Sequence, residues 1–198
     1  MDFDPRPLLL EGRHVRLEPL AVAHAEGLWA SSREPGLWTY LPVAPFGGVD
    51  DVRRWIDDSL QAQRNGTDVP FATVRRSDGR VVGSTRFLDI RRPHRGLEIG
   101  WTWLSPEARR TPINTEAKYL MLQHAFEQLG AIRVQLKSDA RNQRSRDAMM
   151  RIGAVYEGIL RDHMIRGFDG YVRSSAMYAF TREDWVVAKP RLEAMLAH

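Results

Sequence analysis

The sequence predicts an α/β fold: one domain over residues 1–198, with about seven strands in a central mixed sheet flanked by helices. Three observations predict it. Runs of alternating apolar and polar residues recur along the chain, separated by stretches whose apolar residues fall at helical spacing. Strands alternate with helices only in the second half, after three strands in a row, which suits a mixed sheet rather than an all-parallel one. The unit from Gly96 to Ser138 reads as strand, helix, strand, and such a unit crosses over right-handedly with its two strands parallel.

Each element has its own signal. His14 to Leu20 alternates as a first strand after a short N-terminal extension. Ala21 to Ser32 places Ala25, Leu28 and Trp29 on one helical face. A Pro- and Gly-rich loop, Glu34 to Gly48, leads to a second helix, Val49 to Arg64. There Val52, Ile56 and Leu60 recur every four residues and Gly66 stops the run. Val69 to Arg76 and Arg80 to Ile90 are strands joined at Ser77-Asp78-Gly79, a hairpin signal. Gly96 to Leu104 follows. Strict alternation puts Leu97, Ile99, Trp101 and Trp103 on one face, and Glu98, Gly100 and Thr102 on the other.

A long helix is next, with Thr111 as N-cap, Pro112 at the first helical position and Gly130 past the end. Its stripe is Ile113, Ala117, Met121, Ala125 and Leu129. Ile132, Val134 and Leu136 alternate as a strand. Asn142 caps a short helix that ends at Gly153. Val155 to Ile165 and Tyr171 to Phe180 form a hairpin across Gly167 to Gly170. Thr181, with Asp184 three residues on, opens a terminal helix. Pro190 is expected to kink or divide it.

Composition narrows the chemistry. Hydrophobic residues at 43% and charged residues at 27% fit a packed globular chain rather than a disordered one. Cysteine is absent, which excludes disulfides, thiolate zinc sites and cysteine nucleophiles. His94 and His163 are isolated, so no metal site is expected. Leu8 to Leu10 is too short for a secretory core, and no stretch approaches the roughly 18 apolar residues of a membrane helix. A cytoplasmic protein without a membrane partner is expected. Only Lys118, Lys137 and Lys189 are lysines, so the positive charge is nearly all arginine, the side chain that grips phosphate and carboxylate bidentately. The net charge of +4 has acidic residues interspersed and does not call for DNA.

Trp101 to Glu116 is the stretch richest in chemistry: strand, loop, then capped helix. A helix N-terminus carries unpaired N–H groups and partial positive charge, and so binds phosphate. Arg109 and Arg110 stand just ahead of it, and Thr111 and Asn114 can add side-chain hydrogen bonds. A pyrophosphate fits that arrangement; an ordinary Thr-Pro cap with two solvated arginines is the alternative. Asn142 to Gly153, with Ser145 at the third helical position, reads equally as a capped amphipathic helix. Trp38, Tyr40 and Phe46 could wall a site or form a small satellite core beneath their loop.

The order of elements, the strand Leu97-Glu98-Ile99-Gly100-Trp101 before a phosphate-binding helix start, and the Asn142-x-x-Ser145 helix ending at Gly153 resemble the GNAT acetyltransferases. Gly12-Arg13-His14-Val15-Arg16-Leu17, Asn114-x-Glu116-Ala117-Lys118 and Glu157-Gly158 are similar to the ribosomal-protein N-terminal acetyltransferase branch. The resemblance spans about residues 10 to 185. It implies a mostly antiparallel sheet with one splayed parallel pair, acetyl-coenzyme A as cofactor, and direct attack by an amine in a ternary complex. The acceptor would be a protein N-terminal α-amine or a small amine, and the protein a monomer or homodimer.

The resemblance also implies the site. The pantetheine arm would lie beside a bulged strand at Glu98 to Leu104, touching Trp101, Thr102 and Trp103, with Gly100 suited to a bulge or a close approach. Pyrophosphate would meet Arg109, Arg110, Thr111, Ile113, Asn114 and Thr115. Asn142, Ser145 and Met149 would face the arm and thioester. Glu98 is the candidate base and Glu157 the second; Ser145 or a water would be the acid, since Met149 stands where the family often has tyrosine. Trp38, Tyr40, Phe46 and Glu98 would contact the acceptor. Two family glycines fall on Arg110 and Pro112, so arginine forks would replace backbone cradling. A non-catalytic coenzyme A binder and a ribosome- or RNA-associated basic protein are the competing functions.

Overall fold

The computed structural model describes residues 3–197, so residues 1, 2 and 198 of the expected domain lie outside it. Its strands are β1 (Leu10–Glu11), β2 (Val15–Pro19), β3 (Val69–Arg75), β4 (Val81–Arg91), β5 (Gly96–Leu104), β6 (Arg133–Asp139), β7 (Val155–Ile165) and β8 (Val172–Thr181). They form one sheet in the order β1-β2-β3-β4-β5-β6-β8-β7. Only β5 and β6 run parallel; every other neighbouring pair is antiparallel. The helices are α1 (Ala25–Ser31), α2 (Val49–Arg64), α3 (Pro112–Gln123), α4 (Gln143–Arg151) and α5 (Arg182–Leu196). The expected mixed α/β fold is present, with one strand more than the sequence predicts. β1 is two residues long and pairs with Arg16 and Leu17, too short to leave a periodic signal.

Both faces of the sheet are packed. On one, Leu97, Ile99, Val134, Leu136, Tyr178 and Phe180 lie in the same core as Ile113, Ala117 and Met121 of α3 and Trp185, Ala188 and Leu192 of α5. On the other, Ala72, Val74 and Trp103 pack with Leu28 of α1 and Val52, Trp55 and Ile56 of α2. Each such large side chain contributes about 1.5–3 kcal/mol by leaving water. α1 and α2 pack over β3 and β4. The same face of β6 and β8 carries polar residues instead: Gln135 and Lys137 alternate with the core residues Val134 and Leu136.

Two local expectations need correction. Pro190 does not divide the last helix; α5 runs unbroken through it. The residue four back, whose carbonyl loses its helical partner, is Val186, 73% exposed, so water can satisfy that oxygen. The faces of β5 also differ from strict alternation. Ser84 pairs with Trp103 but Arg86 pairs with Gly100, so β5 carries one extra residue there. Trp101 sits at φ +49, a left-handed conformation that costs roughly 1–2 kcal/mol. The bulge moves Trp101 and Trp103 onto the face opposite Leu97 and Ile99. The Arg86 guanidinium covers the Trp101 ring at 4.4 Å, anchored by Asp68 and Ser59 at 2.9 Å each, and holds the strained residue in place.

The long helix starts as expected: the Thr111 hydroxyl accepts from the Ile113 N–H. A carboxylate on its first turns ties the N-terminal strand to it. Glu116 accepts from the N–H groups of Arg13 (2.8 Å), His14 (2.6 Å) and Val15 (2.8 Å). Gly12 is required beside it, because a Cβ there would lie 2.4 Å from the Glu116 carboxyl carbon.

Candidate active site

The parallel pair opens into a V. Gly96, Leu97 and Glu98 pair with Arg133, Val134 and Gln135, and the pairing stops there. β5 continues to Leu104 against β4, and β6 to Asp139 against β8. The two edges facing into the opening therefore carry backbone N–H and C=O groups without sheet partners. Such groups bind an extended, amide-bearing ligand in place of a strand.

Glu98 stands where the strands part. It is 1% exposed, and its Oε2 accepts from Gln135 Nε2 at 3.0 Å and Lys137 Nζ at 2.9 Å. Gly100 makes room for it: a Cβ there would fall 2.8 Å from Glu98 Oε1. Gly100 thus serves a close approach, and the left-handed bulge residue is Trp101. Thr102 and Trp103 turn their side chains into the protein. Thr102 Oγ1 meets Thr85 and Lys118, and Trp103 is 4% exposed. Only their backbone faces the V.

The α3 start presents a different set of cations from the one expected. Arg109 is engaged elsewhere: its Nε donates to the Leu104 carbonyl at 3.0 Å and its terminal nitrogen pairs with Glu34. Arg110 is exposed, at φ +58, so it keeps the backbone conformation a glycine would adopt freely. Arg151, at the end of α4, donates to Thr115 Oγ1 at 3.2 Å. Arg110 and Arg151 are therefore the guanidinium groups at this helix start. The sequence gives no warning of Arg151, because a cation in a last helical turn reads as ordinary dipole complement. Ile113 is buried in the core, leaving only its backbone toward the loop, and Asn114 is half-buried.

On α4, Asn142 Oδ1 accepts from the Ser145 N–H at 3.1 Å, the expected cap. Ser145 is half-buried, and Met149 packs against the α3 core. Glu157 bonds neither to Glu98 nor to its partners Gln135 and Lys137. It lies on β7, two strands beyond β6, and pairs with Arg133 at the closed end of the V, 2.6 Å from its guanidinium. Trp38 and Phe46 form the satellite core rather than a site wall: their rings meet at 4.7 Å, Trp38 reaches Trp103 at 5.7 Å, and Phe46 reaches Trp55 at 5.8 Å. Tyr40 differs, since Arg141 approaches its ring at 6.0 Å and the ring of Tyr171 at 4.2 Å. Arg166 also donates to the Thr39 carbonyl at 2.6 Å. The loop before α2, the turn after β6 and the β7–β8 hairpin thus meet on the Glu98 face of the sheet. Gln135, Lys137, Arg141, Tyr171 and Arg173 join that face without having been singled out from the sequence.

Lys118 is buried on the other side of β5. Its Nζ donates to Thr102 Oγ1 at 2.6 Å, and it has no acidic partner among the described residues. Burial pulls its pKa from 10.5 down to about 7. Between those values the unfolded chain binds the proton and the folded chain does not, so stability rises with pH through that window. Lys118→Met should be more stable than wild type at pH 6.5, with the gap closing by up to about 1.4 kcal/mol per pH unit toward pH 10. Thr85 and Thr102 remain bonded to each other at 2.7 Å, so no hydroxyl is orphaned. Urea denaturation at several pH values checks this; parallel curves contradict it.

The acetyltransferase (GNAT) domain model matches residues 14–155. A solved GCN5-related N-acetyltransferase from Brucella melitensis superposes with a TM-score of 0.90 at 30% identity, covering 96% of this chain and 86% of that one. A solved structure described as a "putative acetyltransferase" from T. thermophilus is 38% identical, with a TM-score of 0.86 and coverage of 97% and 98%. Among curated proteins, the "Putative ribosomal N-acetyltransferase YdaF" of Bacillus subtilis (strain 168) is 29% identical over 85% of this chain and 90% of its own length. The splayed parallel pair, the capped helix beside it and these relatives agree: the chain belongs to the GNAT acetyltransferases and is an acetyl-CoA-dependent N-acetyltransferase.

Proposed function

We propose that this enzyme acetylates a protein N-terminal α-amine or a small amine, with Glu98 as the group that accepts the amine's proton. The observation that carries this is the Glu98 carboxylate, buried at the point where β5 and β6 separate and free of backbone partners. In this reading residues 1–198 act as one cytoplasmic domain, as monomer or homodimer. Acetyl-CoA, when bound, supplies the activated acetyl thioester. The unpaired edges of β5 and β6 hold its extended arm, the N–H groups of splayed β5 are the donors available to its carbonyl oxygen, and Ser145 or a water protonates the departing thiolate. Glu98 draws the proton from the incoming ammonium, directly or through water. Lys137, 2.9 Å away, gives the buried carboxylate a countercharge. Thiol release with acetyl-CoA across a panel of N-terminal peptides and small amines tests the reading. Amine-dependent release supports it; cofactor binding with no acceptor turned over sinks it.

The phosphate end of the cofactor gives a separate expectation. Pro112 has no N–H to donate and Thr111 caps Ile113, so charge near the helix start must compensate for thin backbone cradling. Charge-assisted bonds to phosphate are the stronger kind. Replacing Arg110 and Arg151 together with alanine should weaken acetyl-CoA binding by about 2–4 kcal/mol, at roughly 1.5–3 per charged bond with imperfect additivity. A truncated pantetheine thioester should be spared, and Arg109→Ala should matter less. Calorimetric titration of both ligands decides it. Equal weakening of both would point to misfolding, and no weakening of either would move the pyrophosphate elsewhere.

A further inference from the structure

On the Glu98 face, charges are matched in pairs with one left over. Lys137 pairs with Glu98 at 2.9 Å, Arg141 with Asp139 at 3.3 Å, and Arg166 with Asp169. Arg173, on β8, shares this face: Asp139 pairs across the ladder with Ser175, two residues further on. It is 5% exposed, and its Nε finds no hydrogen-bond partner. Among the described residues it has no ion pair. Glu98 and Asp139 act on it through space, but burial dominates and pulls its pKa below the usual arginine range. Each carboxylate already serves another cation.

A buried guanidinium without a counter-ion is costly and is usually matched by an anion. Arg173 is not matched by the protein. Its surroundings are polar: Ser175 is fully buried and bonds His163 Nδ1 at 3.0 Å, and Tyr171 stands two residues back, just before the strand begins. The loops carrying Tyr40, Arg141 and Tyr171 rim the same space. A fork of fixed N–H donors in such a place suits a carboxylate or phosphate.

We propose that Arg173 binds an oxyanion, a carboxylate or phosphate carried by the same molecule whose amine is presented to Glu98. This rests on the amine-acetylation reading above and narrows its acceptor class. One end of the acceptor delivers the amine at the mouth of the V; the other neutralises Arg173. Polyamines are disfavoured, because a second positive charge would meet the unpaired guanidinium.

Matched acceptors test it: 4-aminobutyrate against 4-aminobutanamide, 3-aminopropyl phosphate against 3-aminopropanol, and the amidated peptides Ala-Asp-Ala against Ala-Asn-Ala. Wild type should favour the charged member of at least one pair by tenfold or more in kcat/KM. Arg173→Gln should erase that preference, costing the charged member at least tenfold more in kcat/KM than the neutral one. This crosses a protein change with a ligand change, so a merely structural role, which slows both members equally, is separated from recognition. Equal loss for both members, or no preference in wild type for any pair, overturns the proposal. Calorimetry with glutarate and with inorganic phosphate reads anion binding without turnover. Binding by wild type that Arg173→Gln abolishes supports Arg173 even if no amine is acetylated, in which case only the acetylation reading fails. Absence of binding to wild type overturns it. Should Arg173→Gln prove unfolded by thermal melting, Arg173→Lys takes its place. Weakened but persistent preference for the charged acceptor supports the proposal, and an unchanged preference overturns it.

Discussion

Glu98→Gln should lower kcat by roughly 10²-fold, the usual scale for losing a general base, while acetyl-CoA affinity should stay nearly constant. Glutamine keeps the shape but cannot accept the proton. It also leaves the Lys137 ammonium, 2.9 Å away, without its countercharge. The double variant Glu98→Gln/Lys137→Met removes both charges and separates catalysis from stability: it should fold at least as well as the single variant and be no faster. The residual rate of either variant should recover as pH rises, because the amine then arrives already neutral. Steady-state kinetics at saturating amine decides this. Turnover equal to wild type would eliminate Glu98 as the base.

The largest effect on stability is expected at Glu116. Alanine there strands three N–H groups, those of Arg13, His14 and Val15. An unsatisfied buried donor costs about 1–3 kcal/mol, and the three are not independent, so the total should be about 3–5 kcal/mol. Glu116→Gln retains one carbonyl acceptor and should cost less. Gly12→Ala should behave like a partial loss of the same contact, since its Cβ would displace the carboxylate. Urea denaturation with an unchanged m-value measures each. A loss under about 1 kcal/mol for Glu116→Ala would mean that water replaces the carboxylate.

Much of the fold was legible because the signals are local. Thr111-Pro112 and Thr181 with Asp184 mark helix starts by hydrogen bonds made within four residues. The parallel pair followed from one crossover between Gly96 and Ser138. What escaped depends on neighbours distant in sequence. Trp101 carries the bulge in a left-handed conformation that a tryptophan gives no reason to expect, and Arg86, from the neighbouring strand, stacks on its ring. Because the bulge flips every later residue, the predicted faces of Trp101 and Trp103 were reversed.

The candidate site divides the same way. The resemblance singled out Glu98, on a face taken as opposite Trp101 and Trp103; the bulge puts those two rings on its own side of the sheet. Arg109 looked free until Glu34, far earlier in the chain, proved to hold it. Glu157 was the second base candidate by resemblance, and strand order places it beside Arg133 at the closed end of the V. Arg173 sits in an alternating strand, where an arginine normally reads as solvent-facing. Its burial comes from the elements that gather around that face.

The most direct test counts products. Wild-type enzyme, acetyl-CoA and an accepted amine should give one free thiol for each N-acetyl group formed, measured by thiol titration and mass spectrometry of the same sample, with no release when amine is omitted. Thiol released without N-acetyl product, or tight cofactor binding with no amine acetylated, would contradict an active site built on Glu98 and the splayed strands.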